Sequence, residues 1–150
     1  MSTLHIRRAR EGDLTEIVNL LADDMLGKLR ETDPGDPVYA EAFSAIDRDP
    51  NQFLAVAEVD GGIAGCLQLS FIPGLSRKGM WRGQIESVRI AAAHRGKGLG
   101  RQMIGWAVGE CRRRGCGIVQ LTSDRQRTDA IRFYESLGFE YSHAGLKIDL

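Results

Sequence analysis

The chain has 150 residues, and its 20 basic and 20 acidic side chains give a formal net charge of zero at pH 7. This balance argues against a nucleic-acid partner, because proteins that bind DNA or RNA usually carry an excess of positive charge. No apolar run approaches the roughly 20 residues that a membrane span needs, and the charges of "MSTLHIRRAREGD" do not fit a secretion signal. We therefore expect one domain over residues 1–150, located in the cytoplasm, with no membrane partner.

The first half of the chain alternates between strand and helix patterns. "LHIRRA" alternates apolar and polar residues as a strand does, and a capping box of Asp13 and Glu16 then opens a helix whose apolar positions continue to Met25 and Leu29. "ETDPGDP" ends that helix, and "VYAEAFSAIDRD" resumes the helical spacing. "QFLAVAEVDGGIAGCLQLSFIPG" predicts a hairpin that turns at Asp60-Gly61-Gly62, and "QIESVRIA" predicts a third strand of this group.

The second half begins with the glycine loop "HRGKGLG". A helix follows, with an apolar side of Leu99, Met103, Trp106, Ala107 and either Val108 or Cys111, and we expect it to stop at Gly115. "GIVQLTS" predicts a strand, "AIRFYESLG" predicts a helix capped by Thr128 or Asp129, and "FEYSHAGLKIDL" predicts two short terminal strands. The order of elements indicates a mixed α/β sandwich with one parallel crossover.

The glycine loop lies between a strand and a helix, where unpaired N–H groups and the helix dipole attract anions. Gly96, Gly98 and Gly100 let the backbone approach a ligand closely, while Arg95, Lys97 and Arg101 add positive charge. We therefore expect the loop to bind a diphosphate. Neither the Walker pattern nor the dinucleotide fingerprint G-x-G-x-x-G is present, which disfavours a nucleotide-dependent oxidoreductase.

Two motifs carry a resemblance to a known family. "RGKGLG" matches R/Q-x-x-G-x-G/A, and "AIRFYESLGF" is similar to A-x-x-x-Y-E-x-L-G-F further along the chain. Both occur in this order in the GNAT superfamily of acyl-CoA-dependent N-acyltransferases, which the chain therefore resembles. The resemblance implies the GNAT fold: a mixed, mostly antiparallel sheet of six to seven strands, splayed between the fourth and fifth, with about four helices.

The resemblance also implies an activity and a cofactor site. The expected reaction moves an acetyl group from acetyl-CoA, the co-substrate, to a primary amine by direct attack in a ternary complex, with no metal. Backbone groups of the strand "ESVRI" are expected to pair with the pantetheine arm and to polarise the thioester carbonyl, while the glycine loop binds the pyrophosphate. The expected cofactor-binding residues are Val88, Arg89, Ile90, Arg95, Gly96, Lys97, Gly98, Leu99, Gly100 and Arg101.

Two residues are candidates for proton transfer. The resemblance places Tyr134 where many relatives have a tyrosine that protonates the departing thiolate, and the alternative is an aromatic residue of the core. Glu86 is the candidate base, since it interrupts a β-prone strand and alternation places it on the face of Gln84 and Val88; the alternative is a solvent-facing or salt-bridged strand residue. Arg127 stands where relatives often have a cofactor-contacting asparagine, and it either binds a phosphate or faces solvent.

Other side chains give less information about function. The three cysteines are odd in number and form no C-x-x-C pair, so we expect buried or half-buried thiols without a disulfide or a zinc site. The three histidines have no nucleophile beside them in sequence, and we expect them to be non-catalytic.

The acceptor stays open at this point. A small-molecule or peptide amine fits the family, and a homodimer is possible. The loops "ETDPGDP" and "IPGLSRKGMWRG" carry charges suited to an ammonium and to a carboxylate, respectively, although solvated loop charge explains both. The alternative function is a non-catalytic acyl-CoA-binding sensor or partner module.

Overall fold

The computed structural model describes residues 4–150, which form two compact units. The first unit ends at Gln120 and the second comprises Leu121–Leu150. The strands are β1 (Leu4–Arg8), β2 (Gln52–Val59), β3 (Gly62–Ile72), β4 (Arg82–Ile90) and β5 (Ile118–Leu121). The α-helices of nine or more residues are α1 (Leu14–Ala22), α2 (Pro37–Asp47), α3 (Leu99–Arg113) and α4 (Thr128–Ser136). Shorter helical segments lie at Glu11–Asp13, Gly27–Leu29, Ser76–Gly79 and Ala92–His94.

The strands form one mixed sheet in the order β1-β2-β3-β4-β5. The first four strands pair antiparallel, and β4 and β5 are parallel neighbours. The predicted hairpin is confirmed: Asp60 and Gly61, with φ angles of 52° and 84°, form a two-residue turn between β2 and β3. Positive φ at both turn residues matches the right-handed twist of the strands, which is why Asp-Gly suits this position.

The predicted strand count is slightly wrong, because the sheet of the described residues has five strands rather than six or seven. The tail after α4, residues 137–150, contains no strand, and residues 140–150 are all exposed. Its alternating apolar residues include Leu146 and Ile148, and both are exposed. Alternation predicts which face of a strand is apolar, but a strand also needs a neighbouring backbone for its hydrogen bonds.

Helix α1 is shorter than its apolar pattern predicts. It ends at Ala22, whereas the pattern predicted continuation through Met25 and Leu29, which are 71% and 87% exposed. The Asp24 carboxylate accepts a hydrogen bond from the backbone N–H of Gly27. An aspartate side chain that binds nearby backbone offers the chain an alternative to helix, and this explains the early end.

Helices α1 and α3 cover opposite faces of the sheet. Ile17 and Leu20 of α1 pack with Val56 and Cys66, whereas Met103 of α3 lies against Gly65, the neighbour of Cys66 in β3. Adjacent strand residues point to opposite faces, so the two helices lie on different sides. The buried residues of α3 include Ile104, which the sequence pattern did not predict. Trp106, which the pattern did predict on the apolar side, is half-buried.

Glycines in two strands let α3 approach the sheet closely. A Cβ added at Gly65 would lie 2.8 Å from Met103 Sδ, and a Cβ added at Gly83 would overlap Cys111 Sγ. At the end of α3, the Arg114 guanidinium stacks 4.2 Å from the centre of the Phe71 ring and donates to the Pro50 carbonyl over 3.0 Å. The helix ends with a Schellman hydrogen bond of 3.0 Å from Cys116 N–H to the Cys111 carbonyl, and Gly115 (φ 84°) follows it as predicted.

We expect Gly83→Val to lower the free energy of unfolding by about 2 kcal/mol or more, because the side chain would overpack the contact with Cys111. Urea denaturation monitored by circular dichroism measures the change. The control is Gly109→Ala on the exposed side of α3, where a Cβ meets nothing within 4 Å. That change should leave stability equal or raise it by about 0.5–1 kcal/mol, because alanine favours helix. An undiminished stability of Gly83→Val would contradict the close contact between helix and sheet.

Candidate functional site

Strand β4 carries a bulge in its middle. Gln68 of β3 lies opposite Glu86, but Cys66 lies opposite Arg89, so Leu67 opposes both Ser87 and Val88. Ser87 has a φ of 56°, the left-handed conformation that accommodates the extra residue. The regular hydrogen-bond ladder of β4 is interrupted at this point, just before the residues for which the sequence predicted contact with a cofactor.

The bulge changes which residues share a face. Glu86 lies opposite Gln68, and Arg89 lies opposite Cys66. Cys66 and Gln68 are two residues apart in β3 and therefore point to the same face. Glu86 therefore shares its face with Gln84 and Arg89, and the expectation that Val88 lies on the same face is wrong. The extra residue at Ser87 shifts the alternation by one position, which no period-two pattern can predict.

Glu86 lies at an open part of the α1-bearing face. The residue is exposed, and its carboxylate lies 3.3 Å from Ser70 Oγ on β3. The preceding residue, Ile85, is 1% exposed and belongs to the core on the opposite face. Burial of Ile85 thus anchors this part of β4, while the Glu86 carboxylate stays accessible to water and to a ligand.

The glycine loop opens into the first turn of α3. Gly96 and Gly98 have φ angles of 76° and 82°, and a Cβ at either position would meet nothing within 4 Å. The backbone conformation therefore favours glycine here, and the space beside the loop is open. Gly98 is the N-cap of α3 and provides no side-chain cap.

The start of α3 has the donors that an anion requires. Its first intrahelical hydrogen bond of the i to i−4 type runs over 3.2 Å from Gln102 N–H to the Gly98 carbonyl. The preceding amides, at Leu99, Gly100 and Arg101, have no acceptor within the helix because helix geometry leaves the first turn unpaired. Lys97 and Arg101 are exposed beside these amides. Unpaired amides, a positive helix end and two cations together suit a phosphate.

Two aspartates after α1 hold the end of β4 and the glycine loop. Arg95 donates 3.1 Å hydrogen bonds to the carbonyls of Ile90 and Asp23, and its guanidinium lies 3.5 Å from the Asp23 carboxylate. The Arg89 guanidinium lies 3.3 Å from the Asp24 carboxylate. The Arg95 side chain thus fixes the path of the loop, and Asp23 and Asp24 are site-forming residues that the sequence analysis did not identify.

Tyr134 and Arg127 belong to the second unit. The Tyr134 ring is half-buried and makes edge contacts with Phe133 and Phe139, with ring centroids 5.3 and 5.8 Å apart. Arg127 is half-buried and is itself the N-cap of α4, so the prediction that Thr128 or Asp129 is the cap is wrong. The turn that precedes the helix is organised instead by Asp124, whose carboxylate accepts from Gln126 N–H over 2.9 Å.

The acidic residues of "ETDPGDP" have structural partners. Glu31 accepts a 2.8 Å hydrogen bond from the Tyr39 hydroxyl, and Asp33 accepts one of 2.7 Å from Gly35 N–H. Asp36 caps α2 by accepting from Val38 N–H over 3.0 Å. These carboxylates therefore order their own loop, which fits the interpretation that their charge is not a preformed ammonium site.

The cysteines are free thiols, as predicted: Cys66 and Cys111 are buried and Cys116 is half-buried. Burial raises the pKa of Cys66 to about 12. Burial also raises the pKa of Cys111 to about 11, with a further contribution from the neighbouring Cys116, and burial raises the pKa of Cys116. At neutral pH all of these groups are in the thiol form, which is a poor nucleophile.

Other candidate sites are weaker. Two open depressions of about 520 and 590 Å³ lie beside α1 and beside the end of β1, and neither includes a residue of the glycine loop or of the β4 bulge. Within residues 4–150, no group of three or more His, Cys, Asp or Glu side chains is placed to hold a metal ion. In the same part of the chain, no helix has the length and apolar character to cross a membrane.

Comparison with known proteins agrees with this geometry. The family model described as "Acetyltransferase (GNAT) family" matches residues 14–139, a range that includes the β4 bulge, the glycine loop and Tyr134. The chain belongs to the acetyltransferase (GNAT) family. It is an acetyl-CoA-dependent N-acetyltransferase, and its sheet and helices form the GNAT fold.

Individual relatives match this GNAT chain over nearly its whole length. The glucosamine 6-phosphate N-acetyltransferase of Trypanosoma brucei brucei is 30% identical, with 98% of this chain and 96% of that protein covered. The aminoalkylphosphonate N-acetyltransferase of Salmonella typhimurium is 27% identical over 95% of this chain and 89% of that protein. A crystal structure from Bacillus halodurans C-125, described as a transcriptional regulator, is 47% identical with a TM-score of 0.95, covering 99% of this chain and 100% of that one.

The open start of α3 in this GNAT chain leads to a prediction with a matched pair of variants. Gly98→Asn and Gly98→Asp add side chains of nearly the same shape, and asparagine and aspartate both tolerate positive φ. We expect Gly98→Asp to weaken coenzyme A binding at least about tenfold more than Gly98→Asn, because a carboxylate there repels a phosphate. Isothermal titration with coenzyme A measures both affinities. Equal affinities for the two variants would show that the pyrophosphate lies elsewhere.

Proposed function

We propose that the protein transfers the acetyl group of acetyl-CoA to the primary amine of a small molecule by direct attack within a ternary complex. The observation that carries the proposal is the uncapped start of α3, which follows the interrupted strand β4 across a short helical segment and the glycine loop. The donors for an anion and the backbone groups for a thioester arm thus lie close together in the chain. The activities named for the Trypanosoma and Salmonella relatives, both of which acetylate amine-bearing small molecules, support this class of acceptor.

The cofactor would be held by two neighbouring parts of the first unit. The amides from Gly96 to Arg101 would bind the pyrophosphate, with Lys97 and Arg101 neutralising its charge. Backbone groups of Val88 to Ile90 would pair with the pantetheine arm, and an N–H there would stabilise the negative charge that develops on the carbonyl oxygen. Arg127 is a further candidate for a phosphate contact.

Proton transfers complete the proposed reaction. The amine must lose a proton to become a nucleophile, and Glu86 would accept that proton directly or through water, since its carboxylate is accessible. The amine nitrogen then forms a bond to the acetyl carbon, and the bond from that carbon to sulfur breaks. The Tyr134 hydroxyl would protonate the departing thiolate, whose basicity is comparable to that of a phenol.

The thiols of the chain favour direct transfer over an acetylated enzyme. A covalent route needs a reactive thiolate, whereas the raised pKa values of Cys66 and Cys111, about 12 and 11, keep both groups protonated at neutral pH. Their burial also denies access to a thioester. These two thiols therefore give no route through an acetylated enzyme, which favours binding of acceptor and acetyl-CoA at the same time.

One observation favours a second candidate function. The Bacillus halodurans protein, 47% identical, is described as a transcriptional regulator. The corresponding function for this chain would be a sensor that binds acyl-CoA without turnover of an acceptor. The zero net charge of the chain gives no independent support for DNA contact.

Steady-state kinetics with a broad panel of primary amines tests the proposed function. Release of coenzyme A, detected with a thiol reagent, should depend on both substrates and give intersecting double-reciprocal lines, because a ternary complex forms. Parallel lines would instead indicate an acetylated enzyme and contradict direct attack. Tight acetyl-CoA binding with no thiol release from any amine would favour the sensor.

Tyr134→Phe tests the proposed acid. The variant keeps the ring contacts with Phe133 and Phe139 but removes the hydroxyl. We expect kcat to fall by about 100-fold, the usual scale of general acid catalysis, while the Kd for acetyl-CoA changes less than about threefold. Phe133→Leu on the same helix is the control for loss of ring packing alone. An unchanged kcat for Tyr134→Phe would remove this hydroxyl from the mechanism.

A further inference from the structure

Polar side chains continue across the sheet on the α1-bearing face, beyond the apolar contacts of Val56 and Cys66. Gln52 lies opposite Ser70, Ser70 lies opposite Gln84, and Gln68 lies opposite Glu86. The strand β5 adds Gln120, whose side chain reaches Gln84. We call this group the amide patch: Gln52, Gln68, Ser70, Gln84, Glu86 and Gln120.

Hydrogen bonds within the amide patch fix its side chains. Gln52 Oε1 accepts from Gln68 Nε2 over 2.8 Å and from Ser70 Oγ over 3.0 Å. Ser70 Oγ also lies 3.3 Å from Glu86 Oε1, which links the amides to the proposed base. On the other side, Gln120 Nε2 donates to Gln84 Oε1 over 3.0 Å. Side chains held by one another lose less conformational entropy when a ligand binds.

The amide patch retains capacity for a ligand. Each glutamine amide has two donor hydrogens and an acceptor oxygen with two lone pairs, and the internal network uses part of this capacity. Gln52 Nε2 and Gln84 Nε2 have no protein acceptor among residues 4–150, and neither is a buried unsatisfied atom. Both amides are half-buried, which leaves them accessible on a surface that is partly shielded from water.

The charge of the amide patch excludes one class of acceptor. Its one ionisable member is the carboxyl group of Glu86, and Arg82, on the same face of β4, is directed at Gln120 Oε1 over 3.5 Å. A phosphate or phosphonate group carries up to about two negative charges and is usually recognised by clustered arginines or by a helix N-terminus. On the patch it would meet one arginine, Arg82, rather than a cluster or a helix N-terminus, and the Glu86 carboxylate would repel it.

The hydrogen-bonding chemistry of the patch excludes a second class. An apolar amine would cover the amides of Gln52 and Gln84 without replacing their bonds to water, and each such loss costs about 1–3 kcal/mol. A ligand hydroxyl both donates and accepts, so several hydroxyls on one ligand can satisfy the open amide groups. The ammonium of the same ligand would be attracted to Glu86.

We propose that the amide patch binds the acceptor and that this acceptor is a primary amine bearing several uncharged hydroxyl groups, of the amino sugar or amino polyol class. The inference rests on the proposed acetyltransferase function and names the substrate of the same site. Glu86 takes the ammonium, while Gln52, Gln68, Ser70, Gln84 and Gln120 form the hydrogen-bonding floor for the hydroxyls.

A set of related amines tests the substrate class. D-glucosamine and 1-amino-1-deoxy-D-glucitol have the required hydroxyls; glucosamine 6-phosphate adds a phosphate, 2-aminoethylphosphonate replaces the hydroxyls by a phosphonate, and cyclohexylamine has no hydroxyl. Rates are referred to the concentration of unprotonated amine, because the pKa values of these amines differ. We expect kcat/KM for D-glucosamine or 1-amino-1-deoxy-D-glucitol, whichever is higher, to exceed that of each of the three comparison amines at least about tenfold. Charge repulsion acts against the phosphate and the phosphonate, and amides left unpaired act against cyclohexylamine.

Variants of the patch test its role. We expect Gln84→Met and Gln52→Met to raise KM for the hydroxylated amine about tenfold, while kcat, KM for acetyl-CoA and the rate with cyclohexylamine change less than about twofold. Gln102→Met, which replaces an exposed glutamine on α3 outside the patch, is the matched control and should leave all four quantities unchanged. A purely structural role of Gln84 would instead raise KM for both substrates or lower the melting temperature.

Each result separates the two proposals. Preference for glucosamine 6-phosphate, 2-aminoethylphosphonate or cyclohexylamine would overturn the inference about the patch and leave the acetyltransferase function intact. Unchanged KM values in Gln84→Met and Gln52→Met, with D-glucosamine as a good substrate, would also overturn the patch. No turnover of any amine would overturn the proposed function itself, and the patch proposal with it.

Discussion

The close packing of α3 on the sheet is the contact on which the candidate cofactor site depends. Met103 and Cys111 lie where Gly65 and Gly83 leave no side chain, and these contacts are eight residues apart along the helix. Two such contacts fix both the distance of the helix from the sheet and its position along its axis. The first turn of α3 is thereby fixed relative to the end of β4. A bulkier residue in either strand would displace the amides that the helix offers to an anion.

The bulge at Ser87 gives one strand two different tasks. Before it, Gln84 and Glu86 direct polar groups to the α1-bearing face, and after it Arg89 returns to that face to meet Asp24. Without the extra residue, Arg89 would point to the face covered by α3, where its charge would be buried among apolar side chains. Asp23 and Asp24, at the negative end of the α1 dipole, are well placed to attract Arg95 and Arg89. The bulge therefore separates the proposed chemistry at Glu86 from the segment that holds the loop.

Much of the fold follows from local sequence, because the hairpin turn at Asp60-Gly61 and the helix stop at Gly115 are local signals, and both are confirmed. Of the features that the sequence did not predict, the end of α1 depends on a side-chain contact with nearby backbone, and the others depend on groups distant in the chain. The end of α1 is set by Asp24 and not by apolar spacing, and the tail at Leu146 and Ile148 alternates without forming a strand. The loop motif was identifiable from its glycines, whereas the Ser87 bulge has no signature, since serine rarely adopts a positive φ. Alternation predicts a polar face for Gln68 and Ser70 in β3 and for Gln84 and Glu86 in β4. Only the register between the two strands shows that these two pairs lie side by side.

The distribution of charge within the first unit accounts for how that unit could bind two different substrates. The cations of the glycine loop, Lys97 and Arg101, lie beside unpaired amides, so the strongest attraction for phosphate is concentrated at the start of α3. The amide patch, by contrast, offers neutral dipoles and one carboxylate, which attract an ammonium and reject a second phosphate. If the patch carried a cluster of arginines instead of the single Arg82 beside Gln120, acetyl-CoA could bind there through its own phosphates and block the acceptor. A neutral floor on one part of the sheet and a cationic helix end on another therefore direct each substrate to its own place by charge alone.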